Sequence, residues 1–195
     1  PAGEPRVPSP DPPPAPAGGP RHASMSEHAP AHPPAAPAAP LAADPYAHAY
    51  PRPQLARVDA WWSLNGPWEL AIDREARWAL PRDVAFDRTI VVPFSPETPA
   101  SGIGDTGLYL AVWYRRTFDA PPLAEGERLV LNFGAVDYQA KVWVNGVLAV
   151  QHEGGYSPFH VDVTDLLRAD GPQELVVRAK DDPLDLAKPR GKQDW

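Results

Sequence analysis

Residues 138–167 read YQAKVWVNGVLAVQHEGGYSPFHVDVTDLL, and the fold follows from them. Asn145-Gly146 between VWV and VLAV predicts a two-residue type I′ turn, because those residue types tolerate the two positive φ angles that such a turn requires. The resulting hairpin register pairs Val144 with Val147 and Val142 with Ala149, on one face with Tyr138 and Ala140. Trp143 falls opposite Leu148 on the other face, beside Lys141 and Gln139. Asn145-Gly146 is thus a turn device and not a site. Residues 159–163 predict a further strand, and Thr164 is placed to cap a single helical turn (TDLLR) through its hydroxyl.

Outward from the hairpin, strand patterns recur at short intervals. Strands are expected over 64–73, 87–92, 108–119, 127–134 and 174–180. In the third, Leu110, Val112, Tyr114 and Phe118 share one face. Arg116 breaks that row, which places it near the rim of the sheet. Pro121-Pro122 ends the strand, since proline offers no donor to a ladder. Leu129, Leu131 and Phe133 form a buried row in the fourth. No segment sustains helical periodicity over twelve residues, so there are no crossover helices and the sheets are expected to be antiparallel. The fold class is therefore all-β: an antiparallel two-sheet β-sandwich of jelly-roll type.

The chain of 195 residues divides by composition. Residues 1–50 hold 15 of the 28 prolines and no aromatic residue before Tyr46, which predicts a disordered Pro/Ala-rich arm. All seven tryptophans lie beyond residue 60. Residues 51–195, roughly 145 in number, suit one sandwich domain and fall short of the about 250 that a (β/α)8 barrel takes. Met25 is the only methionine and the expected start of translation. His22, His28, His32 and His48 lie irregularly in the arm, without the rigid frame that metal ligands need.

The net charge of −7 argues against nucleic acid as a partner, and no apolar run approaches the roughly 18 residues of a membrane span. There is no cysteine, hence no thiolate chemistry, and a cytoplasmic location is expected. No nucleophilic triad order, phosphate loop or zinc spacing is present. The expected catalytic residues, metal and cofactor are accordingly none. Asp137, Glu153, Asp181, Asp182 and Asp185 read as solvated surface. Two glycine-bearing loops, SGIGDTG (101–107) and HEGGYSP (152–158), suit ligand contact, since glycine lets backbone approach a ligand closely. Trp62, Trp68, Trp113 and Trp143 read as packing residues.

Seven motifs in order resemble the N-terminal domain of glycoside hydrolase family 2: SLNGPWE (63–69), VPF (92–94), GLYLAVWYRR (107–116), LNFGAVD (131–137), VWVNG (142–146), HEGGYSPF (152–159) and DVTDL (162–166). The resemblance covers about residues 50–195. It implies a sugar-binding jelly roll, followed in the parent enzyme by an immunoglobulin-like sandwich and a barrel holding the catalytic glutamates. Neither later domain is present, so the chain is expected to be a fragment that hydrolyses nothing alone. The resemblance also implies that Asp194, in the start of an aspartate–aromatic–Gly-Ile motif, touches the sugar. Loop positions Asp105 and Glu153 are the other candidate contacts for a β-glycoside. Gly104 and Asp105 stand where the β-galactosidase pattern places an asparagine before Thr-Gly-x-Tyr. Two other readings stay open: a freestanding carbohydrate-binding module, and a scaffold sandwich that binds protein.

Overall fold

Alternating side chains decide which strands pair and which face each buries. The computed structural model describes residues 61–182, 184, 185, 187 and 188. Among them are eight strands: β1 Gly66–Asp73, β2 Arg88–Val92, β3 Ala111–Phe118, β4 Val130–Phe133, β5 Gln139–Val144, β6 Val147–Glu153, β7 Phe159–Asp162 and β8 Gln173–Lys180. Six form one sheet in the order β2-β1-β3-β8-β5-β6, and β4 pairs with β7 in a second. Every pairing is antiparallel. The only helical pieces among the described residues are single 3₁₀ turns. The expected all-β sandwich is the observed one.

The two sheets meet over a single apolar layer. Trp68, Leu70, Ile90, Val112, Val142, Val144, Leu175 and Val177 supply it from the large sheet, and Leu131 and Phe159 from the small one. Tyr114 and Phe118 extend the β3 row into this layer, as the alternation predicts. Arg116 lies in the same row and turns its guanidinium onto the Leu64 and Asn65 carbonyls at 2.6 and 2.8 Å.

The outer face of the large sheet is also dry. Ala71, Trp113, Trp143 and Val176 form a second cluster, roofed by Trp78, Val84 and Phe86 from the segment between β1 and β2. The Trp113 and Trp143 rings stack with centroids 5.4 Å apart. Such stacking adds about 0.5–1.5 kcal/mol beyond area burial. Trp62 alone of the four tryptophans read as packing residues stays half exposed.

Two local expectations need correction. Asn145 and Gly146 do adopt φ of 52° and 83°, and Val144 faces Val147 as expected. A bulge then shifts the register, so Val142 pairs with Val150 instead of Ala149. The run Val147–Val150 is apolar throughout, so its pattern does not discriminate between the two registers. Thr164 does not cap the 3₁₀ turn at Thr164–Leu166. Its hydroxyl donates to Asp162 Oδ1 at 2.7 Å and accepts from the Leu129 N–H at 2.8 Å. Asp162 is the residue that takes up the exposed donor, the Thr164 N–H at 3.0 Å.

Asn145 does more than turn the chain. Its Nδ2 donates to the Leu166 carbonyl and to Gln173 Oε1, both at 2.8 Å, and its Oδ1 accepts from the Glu174 N–H at 2.9 Å. Gln173, 2% exposed, also binds the backbone at Arg168 and Gly171. The hairpin tip is thereby fastened to the start of β8.

Candidate functional site

One backbone row crosses the sheet from Asp73 through Ala111, Lys180 and Gln139 to Glu153. The segments that follow β1, β8 and β6, and those that precede β3 and β5, therefore all emerge at the same end of the sandwich. Both glycine-bearing loops singled out from sequence lie there. So do three large exposed apolar side chains, Leu108, Tyr156 and Leu184, at 68%, 69% and 79% exposure.

Asp105 is built into its own loop. Its Oδ1 accepts the Gly107 N–H at 2.9 Å, and its Oδ2 pairs with Arg74 at 2.9 Å and Arg88 at 3.6 Å. The Gly107 N–H is the main cause that holds this carboxyl below the usual aspartate range, helped by Arg74 and Arg88. Arg74 also donates to the Leu108 carbonyl at 3.0 Å, which ties the loop to the end of β1. A shallow hollow of about 300 Å³ opens beside this network, with Arg74, Arg88 and Trp78 among its walls. The Tyr109 hydroxyl donates to Glu97 at 2.6 Å, and burial pushes its pKa up.

Glu153 ends β6, the outermost strand, and is exposed. Four strand spacings separate its row position from that of Asp73, next to Arg74. At about 4.8 Å each this is roughly 19 Å. Asp105 and Glu153 thus share one end of the domain but not one pocket. Asp194 lies outside the described residues.

Between them sits a cluster that includes Asp137 and Asp181, two residues that the sequence reads as solvated surface. The Lys188 ammonium lies 2.9 Å from Asp181 Oδ1 and 5.1 Å from the centre of the Tyr138 ring. Asp137 is held close by: burial raises its pKa, Asp181 raises it further, and Lys188 opposes both. A β-carbon at Gly155 would collide with the Asp137 side chain, which would have to shift to admit it. The Gly154 N–H donates to the Tyr138 carbonyl at 2.8 Å, so the loop after β6 is laced to the entry of β5. His152 stacks on Phe159 at 4.4 Å, and its Nε2 is 3.1 Å from the Ser157 hydroxyl. Sequence reasoning missed this cluster: Lys188 lies seven residues from Asp181 beyond Pro183, and nothing in that spacing marks the pair.

The end of the sandwich can offer carboxylates, aromatic rings and glycine backbone to a polyhydroxylated ligand. It has none of the furniture of a metal site: among the described residues no group of three or more histidines, aspartates or glutamates is placed to hold an ion. No described helix is long and apolar enough to cross a membrane.

A family model described as the glycosyl hydrolase 2 galactose-binding domain-like matches residues 109–194. A β-glucuronidase of Streptococcus agalactiae is 32% identical over 116 residues, which span 56% of this chain and 18% of that relative. A β-glucuronidase of Paenibacillus borealis is 45% identical over 111 residues, 52% of this chain and 18% of its own length. Among solved structures, a Faecalibacterium prausnitzii β-glucuronidase superposes with a TM-score of 0.51 at 35% identity, covering 61% of this chain and 20% of that one. The chain thus spans about 18% of the length of these two curated relatives.

Proposed function

We propose that the chain, whose residues 109–194 match the glycosyl hydrolase 2 galactose-binding domain-like family model, is the non-catalytic sugar-binding domain of a β-glycosidase of the β-glucuronidase kind. In this reading residues 51–195 are the binding domain and residues 1–50 its arm. The domain contributes contacts to a β-glycoside, while immunoglobulin-like and barrel domains of a longer protein hold the substrate and cleave it. The observation that carries the reading is the convergence of both glycine-bearing loops on one end of the sandwich; the second of them, 152–158, lies within residues 109–194, which match the family model. Glu153 and Asp194 accept hydroxyl protons of the sugar. Asp105, whose oxygens are already engaged, acts by holding the loop that carries Leu108. A cytoplasmic setting suits a chain without cysteine.

Hydrolysis needs two carboxyl groups held about 5–10 Å apart on either side of the scissile bond. Asp105 and Glu153 are too far apart to be that pair. The isolated chain is therefore expected to bind p-nitrophenyl β-D-glucuronide by calorimetry and to release no p-nitrophenol from it. Turnover by clean protein would overturn the assignment as non-catalytic. Binding that Glu153→Ala and Asp194→Ala both leave unchanged would overturn the assigned contacts.

A further inference from the structure

Arg74, Arg88, Arg115, Arg128 and Lys188 each face a carboxylate. Three cations on the outer face of the large sheet do not. Strand pairing lines up Ala71, Trp113, Arg178, Lys141 and Gln151 in one row. The neighbouring row, nearer the loop end, carries Lys180 and Gln139. Lys141, Arg178 and Lys180 thus share the side of the Trp113–Trp143 stack, about 5 Å apart across the strands and about 7 Å along them. None of the three has an ion-pair partner among the described residues. Arg178 is held there at a cost. Its guanidinium lies 5.5 Å from the centre of the Trp113 ring, and its Nε, like Trp113 Nε1, is buried without an acceptor. Burial pushes the pKa of this guanidinium down, and the field of Asp73 opposes the shift. The two Asp73 oxygens, however, already accept the Arg77 and Trp78 amides at 2.9 and 3.0 Å. Arg178 and Lys141 stand directly opposite each other, and like charges so placed work against the sheet. Folding alone does not call for this arrangement; binding an anion does.

We propose that Lys141, Arg178 and Lys180 form a second binding site, on the outer face of the large sheet, for the carboxylates of an acidic saccharide. That the ligand is a sugar rests on the reading of the chain as a sugar-binding domain; that it is anionic rests on the three cations. Trp78, Val84 and Phe86 roof the apolar part of this face, which therefore lacks the open apolar centre of a protein interface. Its open part offers ammonium and guanidinium groups beside the exposed amides of Gln139 and Gln151, a set that suits carboxylates and hydroxyls. Trp113 beneath Arg178 holds the guanidinium in place, so less freedom is lost when a carboxylate takes its outer nitrogens. The net charge of the chain is −7, so an acid is drawn to this face by the local cations alone, and salt weakens its binding.

The test titrates the 195-residue chain by calorimetry with tetragalacturonate, with its full methyl ester and with tetraglutamate. The acid saccharide is expected to bind about tenfold more tightly than either of the others. K141Q and K180Q should each weaken it about three- to tenfold. R178K, which keeps the charge and loses the planar fork, should weaken it about threefold. The urea midpoint of K141Q should match or exceed that of the wild type, because a like-charge pair is relieved. An ester that binds as tightly as the acid would overturn carboxylate recognition. A peptide that binds as tightly would overturn the saccharide as ligand and leave acidic side chains of a protein in its place. Unchanged affinity in K141Q together with a lower midpoint would show that the cations serve the fold, and the site would fall. A chain that binds tetragalacturonate but not p-nitrophenyl β-D-glucuronide keeps this site and overturns the loop-end contacts. One that binds the glucuronide and not tetragalacturonate overturns this site alone.

Discussion

Replacing Asn145 by alanine removes three side-chain hydrogen bonds and forces a β-branch-free but chiral residue into left-handed backbone. Two of the lost bonds are to the Leu166 carbonyl and Gln173 Oε1, and the third is from the Glu174 N–H. At about 1 kcal/mol net for each bond, the network contributes about 3 kcal/mol. Holding alanine at the φ of 52° that Asn145 adopts adds about 1 kcal/mol. Asn145→Ala should therefore lower stability by about 4 kcal/mol, a large share of the 5–15 kcal/mol typical of a domain. Asn145→Gly keeps the backbone freedom and should cost about 3 kcal/mol. Urea unfolding measures both. With a slope near 2 kcal/mol per molar, the midpoint falls by about 2 M for alanine and about 1.5 M for glycine. A glycine variant within about 0.5 kcal/mol of wild type would show that the turn matters and the network does not. Equal losses for the two would show that the left-handed backbone costs nothing.

Other outcomes follow from the same structure. Arg128 is the main cause that holds the Asp162 carboxyl down, at about 2 against an ordinary 3.8, helped by the Thr164 amide and hydroxyl. A depressed carboxylate stabilises the fold above its unfolded pKa, so this contribution is full above 3.8 and fades as pH falls towards about 2. Arg128→Met should flatten thermal stability against pH in that window and leave the neutral-pH protein folded; an unaltered profile would exclude the pair as a cause. Trp143, stacked on Trp113 and 3% exposed, should cost about 3–5 kcal/mol when truncated to alanine. Loss of near-ultraviolet circular dichroism from the pair would accompany it, and a loss below about 1 kcal/mol by urea unfolding would show that the outer cluster is not packed.

The strands and the inner face of the sandwich were readable because period-two alternation survives in them: Val112, Tyr114 and Phe118, or Leu131 and Phe133, announce their own side. The outer cluster was not, because its roof of Trp78, Val84 and Phe86 comes from an irregular segment that carries no period. The bulge in β6 was hidden by the apolar run around Ala149, which satisfies either register. Asn145 advertised its turn through its neighbour Gly146, but its partners at Leu166, Gln173 and Glu174 are remote in sequence and leave no local mark. At the candidate site the glycine loops were visible and their common end followed only from the strand order. The Lys188–Asp181 pair was missed because aspartates near proline read as solvated surface when no partner is in sight.

The position of β8 has a consequence for how the molecule is made. It is the last of the described strands, yet it lies between β3 and β5 and joins β2-β1-β3 to β5-β6. Its partners on β3 precede it by roughly 60 residues, and loops of that length close slowly. A nascent chain that has emerged only through β7 holds two half-sheets with bare edges at β3 and β5, each a template for wrong pairing. Correct assembly of the sheet therefore waits for one eight-residue strand, Gln173–Lys180. Slowing its arrival, for instance with rare codons upstream of Gln173, should raise the aggregated fraction without changing a single residue of the protein.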